Sequence, residues 1–367
     1  FNPDLLASKV VPFEKFKPFL TVSGGHASFP DKNSEQGKSL IAEGEKALKY
    51  IPGILPLSKY RMFTDNGDRK EYESLYFERR NMLLNLIAAE LCEKEGRFIK
   101  KIMDLLFAIC EESTWVIPAH NYSVSNHYNT VIAKMPEPVG ENVWAIDLFS
   151  AATGALVALA YYFFRDTYEK EIPRLFNERI IYELNKKIIK PYLSTIELWW
   201  MGYISPNVNN WNPWINSSIM TVAAYAVHDL ETRKALVRKC AESINFYTNS
   251  LPSDGGCDEG PNYWGAAGAC VVEFAELCYD ITGGKYSVFK NKQLIDVVKY
   301  VTKVNIAGNY YFNCADAHPE SVQNYSMIRR FGKLSGDQTV YSFGNEMLKH
   351  EKIHKLGNSH QPDPGIR

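Results

Sequence analysis

Apolar residues recur at helical spacing almost from end to end of this chain, and no stretch sustains the two-residue alternation of a strand. That period narrows the choice of fold more than any other property. Candidate helices span 35–50, 71–94, 97–112, 144–168, 169–189, 213–229, 231–249, 263–280 and 288–303. Breakers separate them: Gly96, the 136–140 stretch, Pro191, Pro252 with Gly255-Gly256, and Gly283-Gly284. Asn212 before Pro213 reads as an N-cap followed by a proline in the first turn. The helices thus fall into consecutive pairs, joined by alternating short and longer loops.

A helical hairpin leaves part of its apolar face bare, so paired helices must stack on their neighbours. Stacking yields an open solenoid or a closed toroid, and two features favour closure. The stretch 148–164 carries no charge and is apolar nearly all round, with Ala151, Gly154, Ala155 and Ala158 at helical spacing, as an inner helix requires. Aromatic and polar residues gather in loops rather than along one helical face. The expected fold is therefore all-α, an (α/α) toroid of helical hairpins over 1–332. Residues 333–367 turn polar and read as a tail or the lead into a further domain.

Composition excludes several classes. Of the 367 residues, 46% are hydrophobic, enough for a large core. The net charge of −1, from 41 basic and 42 acidic side chains, gives no electrostatic case for nucleic acid. The uncharged 148–164 stretch is short for a membrane span and contains Ser150, Thr153 and Gly154. Seven cysteines form no CxxC pair, and Cys92, Cys110, Cys270 and Cys278 lie in apolar helical runs, where buried thiols are expected. No metal or cofactor is expected: there is no EF-hand loop, and isolated histidines are poor evidence for a site. The chain opens Phe1-Asn2-Pro3 with no signal-peptide apolar run, which leaves periplasm and cytoplasm equally open.

Four loops carry the chemistry. The first is 113–121, with Trp115, His120 and Asn121; the second is 205–216, with Asn209, Asn210, Trp211, Asn212 and Trp214. The third is 252–264, with Asp254, Asp258, Glu259, Tyr263 and Trp264; the fourth is 310–319, with Asp316 and His318. Each mixes large aromatics with Asn, Asp or His. Ring faces stack on the C–H face of a pyranose, while amides and carboxylates bond its hydroxyls. Five of the seven tryptophans (Trp199, Trp200, Trp211, Trp214 and Trp264) lie in or beside the second and third loops, which is why the set points to a sugar.

The loops resemble those of the heparinase II/III-like polysaccharide lyases. The resemblance rests on Thr114-Trp115-Val116-Ile117-Pro118-Ala119-His120, Asn209-Asn210-Trp211-Asn212, Asp254-Gly255-Gly256 followed by Glu259-Gly260-Pro261-Asn262-Tyr263-Trp264, and Phe312-Asn313-Cys314-Ala315-Asp316-Ala317. These motifs span most of the chain in matching order. The resemblance implies an α/α-toroid catalytic domain and β-elimination at a uronic acid in an acidic polysaccharide or oligosaccharide. In that family a Tyr after the Glu-Gly-Pro turn moves the proton, here Tyr263, and an Asn or His one hairpin earlier meets the substrate carboxylate or takes the proton, here Asn210. Some relatives carry a His where this loop has Trp211, which shifts the burden onto Tyr263. The family's full-length enzymes add a β-sandwich domain that brings a further His to the cleft, and no β-rich region of that size is present here.

The residue types suit that chemistry. A phenol needs a cationic or hydrogen-bonding neighbour to become a useful base at neutral pH. An amide donating to the uronate carboxylate acidifies the C5 proton. The expected catalytic set is Tyr263, Asn210 and His120; the expected substrate-binding set is Asn209, Trp211, Asn212, Trp214, Glu259, Trp264, Trp115, Asn121, His318 and Arg330. Within it, Asn212 also reads as a helix cap and Glu259 as a brace of its turn, bonding backbone N–H groups. A toroid glycoside hydrolase using Asp254, Asp258, Glu259 and Asp316, a non-catalytic sugar-binding toroid, and a helical scaffold for protein partners are the competing readings.

Overall fold

The computed structural model describes residues 1–23, 29–121 and 145–354. The chain is mostly helical. It begins with α1 (Pro3–Lys9), α2 (Leu20–Ser23), α3 (Glu35–Leu48), α4 (Leu57–Asn66), α5 (Lys70–Glu93) and α6 (Ile99–Cys110). There follow α7 (Leu148–Phe164), α8 (Arg174–Leu184), α9 (Lys190–Ser194), α10 (Trp211–Ala226), α11 (Leu230–Ser250), α12 (Gly268–Ile281) and α13 (Lys292–Lys303). The hairpin β1 (Asn305–Ala307) and β2 (Tyr310–Tyr311) is antiparallel, and α14 (Tyr325–Ser335) and α15 (Gln338–His354) close the described chain. Short polar side chains start many of these helices. Ser34, Asp147, Asp229, Asn291 and Asn324 each accept a backbone N–H three residues on, satisfying a donor that the first turn leaves without a partner.

The chain divides into two compact units. One holds 29–121, 145–198 and 221–227 of the described residues. Here α3 packs along α5, and α6 and α7 bury their apolar faces nearby. The all-round apolarity of 148–164 has its counterpart in α7, where residues on almost every side are buried. Gly154 is small for a reason: a Cβ there would lie 2.9 Å from Ile188 Cγ1 and 3.4 Å from Val222 Cγ2. Charge is also buried in this unit. Glu112 receives Arg79 Nη1 at 2.7 Å and Arg80 Nη2 at 2.6 Å, and the Arg80 guanidinium lies over the Tyr76 ring. Beyond α8 the chain widens into a π-turn, Asn185–Ile189. Pro191 supplies the cause, since its ring would clash with the carbonyl four residues back in a regular helix. The helix therefore continues to Ser194, past Pro191, where the sequence places a break.

The second unit holds 1–23, 199–220 and 228–354 of the described residues. It joins the start of the chain to α11–α15. Leu6 on α1 is fully buried against α11, while the Val11 N–H donates to Ile281 O and the Phe19 N–H to Asp280 Oδ2. Residues beyond 333, expected as a polar tail, include the end of α14 and all of α15. The two helices pack on each other, with Val340 and Met347 buried. In the sequence α14 is inconspicuous because it joins polar residues to a narrow apolar stripe: Met327, Ile328 and Phe331 are buried, and Ser326 and Arg329 are exposed. Among the described residues no helix is long and apolar enough to cross a membrane, and no group of three His, Cys, Asp or Glu is placed to hold a metal ion. Cys92, Cys110, Cys270 and Cys278 are buried thiols.

Candidate functional site

The second and third motif loops lie in the second unit, and their residues separate sharply by what their polar atoms touch. Asn209 starts α10: its Oδ1 accepts the Trp211 N–H at 3.1 Å and its carbonyl accepts the Asn212 N–H at 3.1 Å. The capping role expected of Asn212 thus falls to Asn209. Asn212 is wholly buried inside the helix, and its Nδ2 donates to Trp200 O (2.8 Å), Ser243 O (3.0 Å) and Ser243 Oγ (3.2 Å). Asn216, one turn on, donates to the same Ser243 hydroxyl. These amides fasten α10 to α11 and have no face for a sugar.

Asn210 differs from both neighbours. It is only 6% exposed, yet its carboxamide makes no hydrogen bond to any described residue; only its backbone carbonyl is used, by Trp214 N. Nearby, Trp211 lies against Trp199 with ring centroids 5.1 Å apart, and Trp199, Trp211 and Trp214 are all half-buried, leaving ring surface exposed.

The third loop turns at Gly260 with φ +87°, where any Cβ would meet the Cys314 carbonyl oxygen at 2.4 Å. That close approach brings in the fourth loop. Asn262 Oδ1 accepts the His318 N–H at 2.8 Å, and Gln323 Nε2 donates to Pro261 O at 2.9 Å. A short 3₁₀ turn, Pro261–Ala266, stands where the sequence suggests the first turn of a helix; α12 begins only at Gly268. Tyr263 rides on this turn, half-buried, and its hydroxyl makes no hydrogen bond to any described residue. Trp264 instead points into the core, fully buried with its indole N–H on Val297 O at 2.9 Å. It is a structural residue, removed by burial from the expected sugar-binding set.

Glu259 does not brace its turn. Its Oε2 is buried with no hydrogen-bond partner, and burial, helped by the charges of Asp258 and Asp316, holds its carboxyl above the ordinary carboxylate range. Close by is Tyr247 of α11, a residue that no sequence motif singles out. It is 3% exposed, its hydroxyl makes no hydrogen bond to a described residue, and burial together with Cys257, Asp258, Cys270 and Glu259 raises its pKa. A tyrosine on the apolar face of a helix carries no sequence signal for such a position. Cys257 is likewise pushed up to about 12 by burial. His318 is exposed, and Arg330 is taken by Glu276 through paired contacts of 2.6 and 2.9 Å, which removes it as a clamp for a substrate carboxylate.

The first loop belongs to the other unit. Trp115 is 1% exposed with its indole N–H on Ile109 O, and Lys187 Nζ lies 4.9 Å from its ring, so it too is core. Asn121 is buried. His120 ends a 3₁₀ turn begun by Pro118; its Nδ1 lies 2.9 Å from Asp147 Oδ2 and its ring is parallel to Phe149 at 5.6 Å. The turn is seated beside a cluster of Tyr60, Tyr72, Tyr76, Ile117 and Ala119. Compared with known proteins, the chain matches no family model and no curated sequence.

Proposed function

We propose that the chain is an α/α-toroid lyase domain that cleaves uronic-acid-containing glycans by β-elimination. In this reaction a base removes the C5 proton, the electron pair forms the C4–C5 double bond, and the C4–O4 bond breaks with O4 taking a proton. The observation that carries the reading is the division of labour in the motif loops. Asn209, Asn212, Asn262 and Trp264 are spent on structural bonds, whereas the Asn210 carboxamide and the Tyr263 hydroxyl make no hydrogen bond to a described residue. The Asn210 carboxamide is not spent on the fold, which leaves it for a ligand to engage. Asn210 is thus assigned to the uronate carboxylate and Tyr263 to proton transfer. Half-buried Trp199, Trp211 and Trp214 supply stacking surface.

The test is a panel of uronic-acid glycans followed by near-ultraviolet absorbance of the unsaturated product. Tyr263→Phe is expected to lower kcat about 10²–10⁴-fold while leaving glycan affinity near wild type. Turnover that survives this substitution removes Tyr263 from the mechanism, and a panel with no chromophore removes the lyase. One observation favours a hydrolase as the second reading: Glu259 is held toward its neutral form beside Asp258 and Asp316, as a general acid would be. Its signature is a new reducing end without the chromophore, abolished by Glu259→Gln.

A further inference from the structure

Charge is unbalanced where the third and fourth loops meet. Gly260 approaches the Cys314 carbonyl, and a Cβ on it would also lie 2.9 Å from the Ala317 Cβ. Glu259, one residue before the glycine, is thereby brought near Asp316, one residue before that alanine. Asp258 adds a third carboxylate, its Oδ1 accepting the Glu259 N–H at 3.1 Å. None of the three makes an ion pair with a described residue. Residues 252–264 and 310–319 hold no Lys or Arg, and His318 is their one basic side chain. The helix α13 runs against the third loop, through Trp264 on Val297 and Tyr300 on Cys257, but its cations are engaged elsewhere. Lys292 pairs with Asp296, Lys299 pairs with Asp337 at 2.6 Å, and Lys303 donates to the Asp254 carbonyl at 3.1 Å. Arg330 is held by Glu276.

Two polar groups mark this acidic corner as more than a solvated face. Glu259 Oε2 is buried and has no hydrogen-bond partner. Tyr247, 3% exposed on α11, lies beside Asp258 and Glu259, and its hydroxyl bonds no described residue. A carboxylate oxygen withdrawn from water without a donor is costly, and a donor brought by a ligand recovers that cost. Among the described residues no three His, Cys, Asp or Glu are placed to share a metal ion. An ammonium group asks for less: it carries three donors, needs one or two direct acceptors, and feels the other carboxylates through their field.

We infer that Glu259, Tyr247, Asp258 and Asp316 form a recognition site for a protonated amine, so that the glycan is zwitterionic, with a free amino sugar beside its uronate. The amine stands on the cluster itself, whereas its place on a uronate glycan rests on the lyase reading. Carboxylates four residues from Tyr263 repel a polyanion, and an ammonium on the neighbouring sugar reverses that sign.

The test is titration calorimetry of the full chain at pH 6 with two tetrasaccharides of alternating glucuronate and glucosamine. They differ only in whether the glucosamine nitrogen is free or acetylated. The free-amine form is expected to bind at least about tenfold tighter at low salt, and the preference to shrink as salt rises. Asp258 and Asp316 are exposed, so replacing both by Asn removes charge without disturbing packing. That pair is expected to cut the preference to about threefold or less, and Glu259→Gln added to it to abolish the rest. Glu178→Gln, at an exposed carboxylate of the other unit, is expected to leave the preference unchanged. Equal or tighter binding of the acetylated form, no binding of either, or a preference undiminished in the Asn pair each overturns the proposal. If the free-amine form is preferred and neither form is cleaved, the lyase reading falls and the amine site stands. Cleavage of both forms with equal affinity does the reverse.

Discussion

Adjacent residues of one motif do unrelated work, and the difference lies in their partners rather than their types. Asn210 and Asn212 are both buried, but the Asn212 Nδ2 donates to Trp200 and Ser243 while its Oδ1 has no partner, and no described residue bonds the Asn210 carboxamide. Glu259 makes the same point for a charge. Its carboxyl is raised by burial first, then by Asp258 and Asp316, so the folded chain holds this proton more tightly than the unfolded chain does. The stability so contributed is complete below the unfolded value, about 4.3 for glutamate. It is lost as pH rises through the higher folded value. Glu259→Gln mimics the neutral acid and escapes that loss. Urea unfolding at pH 4 and pH 8 is therefore expected to show the variant gaining on the wild type at the higher pH. A gap that stays constant or shrinks would place Glu259 in the ordinary range.

At the scale of elements, the buried ion cluster joins α5 to the residue two places beyond α6. Glu112 is 5% exposed at its side chain and is shared by Arg79 and Arg80, at 7% and 8%. Its removal would strand two guanidinium groups in a low-dielectric setting. Glu112→Ala is expected to cost about 3–5 kcal/mol in denaturant unfolding, well above an exposed pair such as Arg174–Glu178, at about 0–1 kcal/mol. A loss below about 1 kcal/mol would mean that water reaches the cluster. The helices themselves were largely legible, because α3, α7, α11 and α13 open on the short polar residues Ser34, Asp147, Asp229 and Asn291. The ion cluster was not: charged residues in an amphipathic helix read as its wet face, and only the fold shows that Arg79 and Arg80 turn inward. The site was legible by loop and illegible by residue. Asn-Asn-Trp-Asn announces a polar aromatic loop, but which Asn lacks a partner depends on Trp200 and Ser243, which come from other elements. Asp147 shows the same limit, since its cap is visible as Asp-x-x-Ser while its second contact, with His120, is not.

For the whole molecule the decisive fact is that one unit is built from both ends of the described chain. Residues 1–23 pack with α11 and α12, more than 200 positions later, whereas the other unit draws almost all its residues from 29–198. Contacts of such sequence separation carry a large loop-closure cost and form late. Leu6 is the anchor, fully buried on the short helix α1, which at seven residues is too short to persist without tertiary support. Leu6→Asp buries an unpaired carboxylate at that anchor, and a penalty of several kcal/mol is expected to release α1 from α11. The damage should follow the unit boundary. In native-state hydrogen exchange, amides of α11, α12 and α13 are expected to lose protection by at least the free energy lost globally from their unit, while those of α5, α6 and α7 lose much less. Equal loss in both sets would mean that the two units unfold as one cooperative block, and the division read from the chain's packing would then have no thermodynamic counterpart.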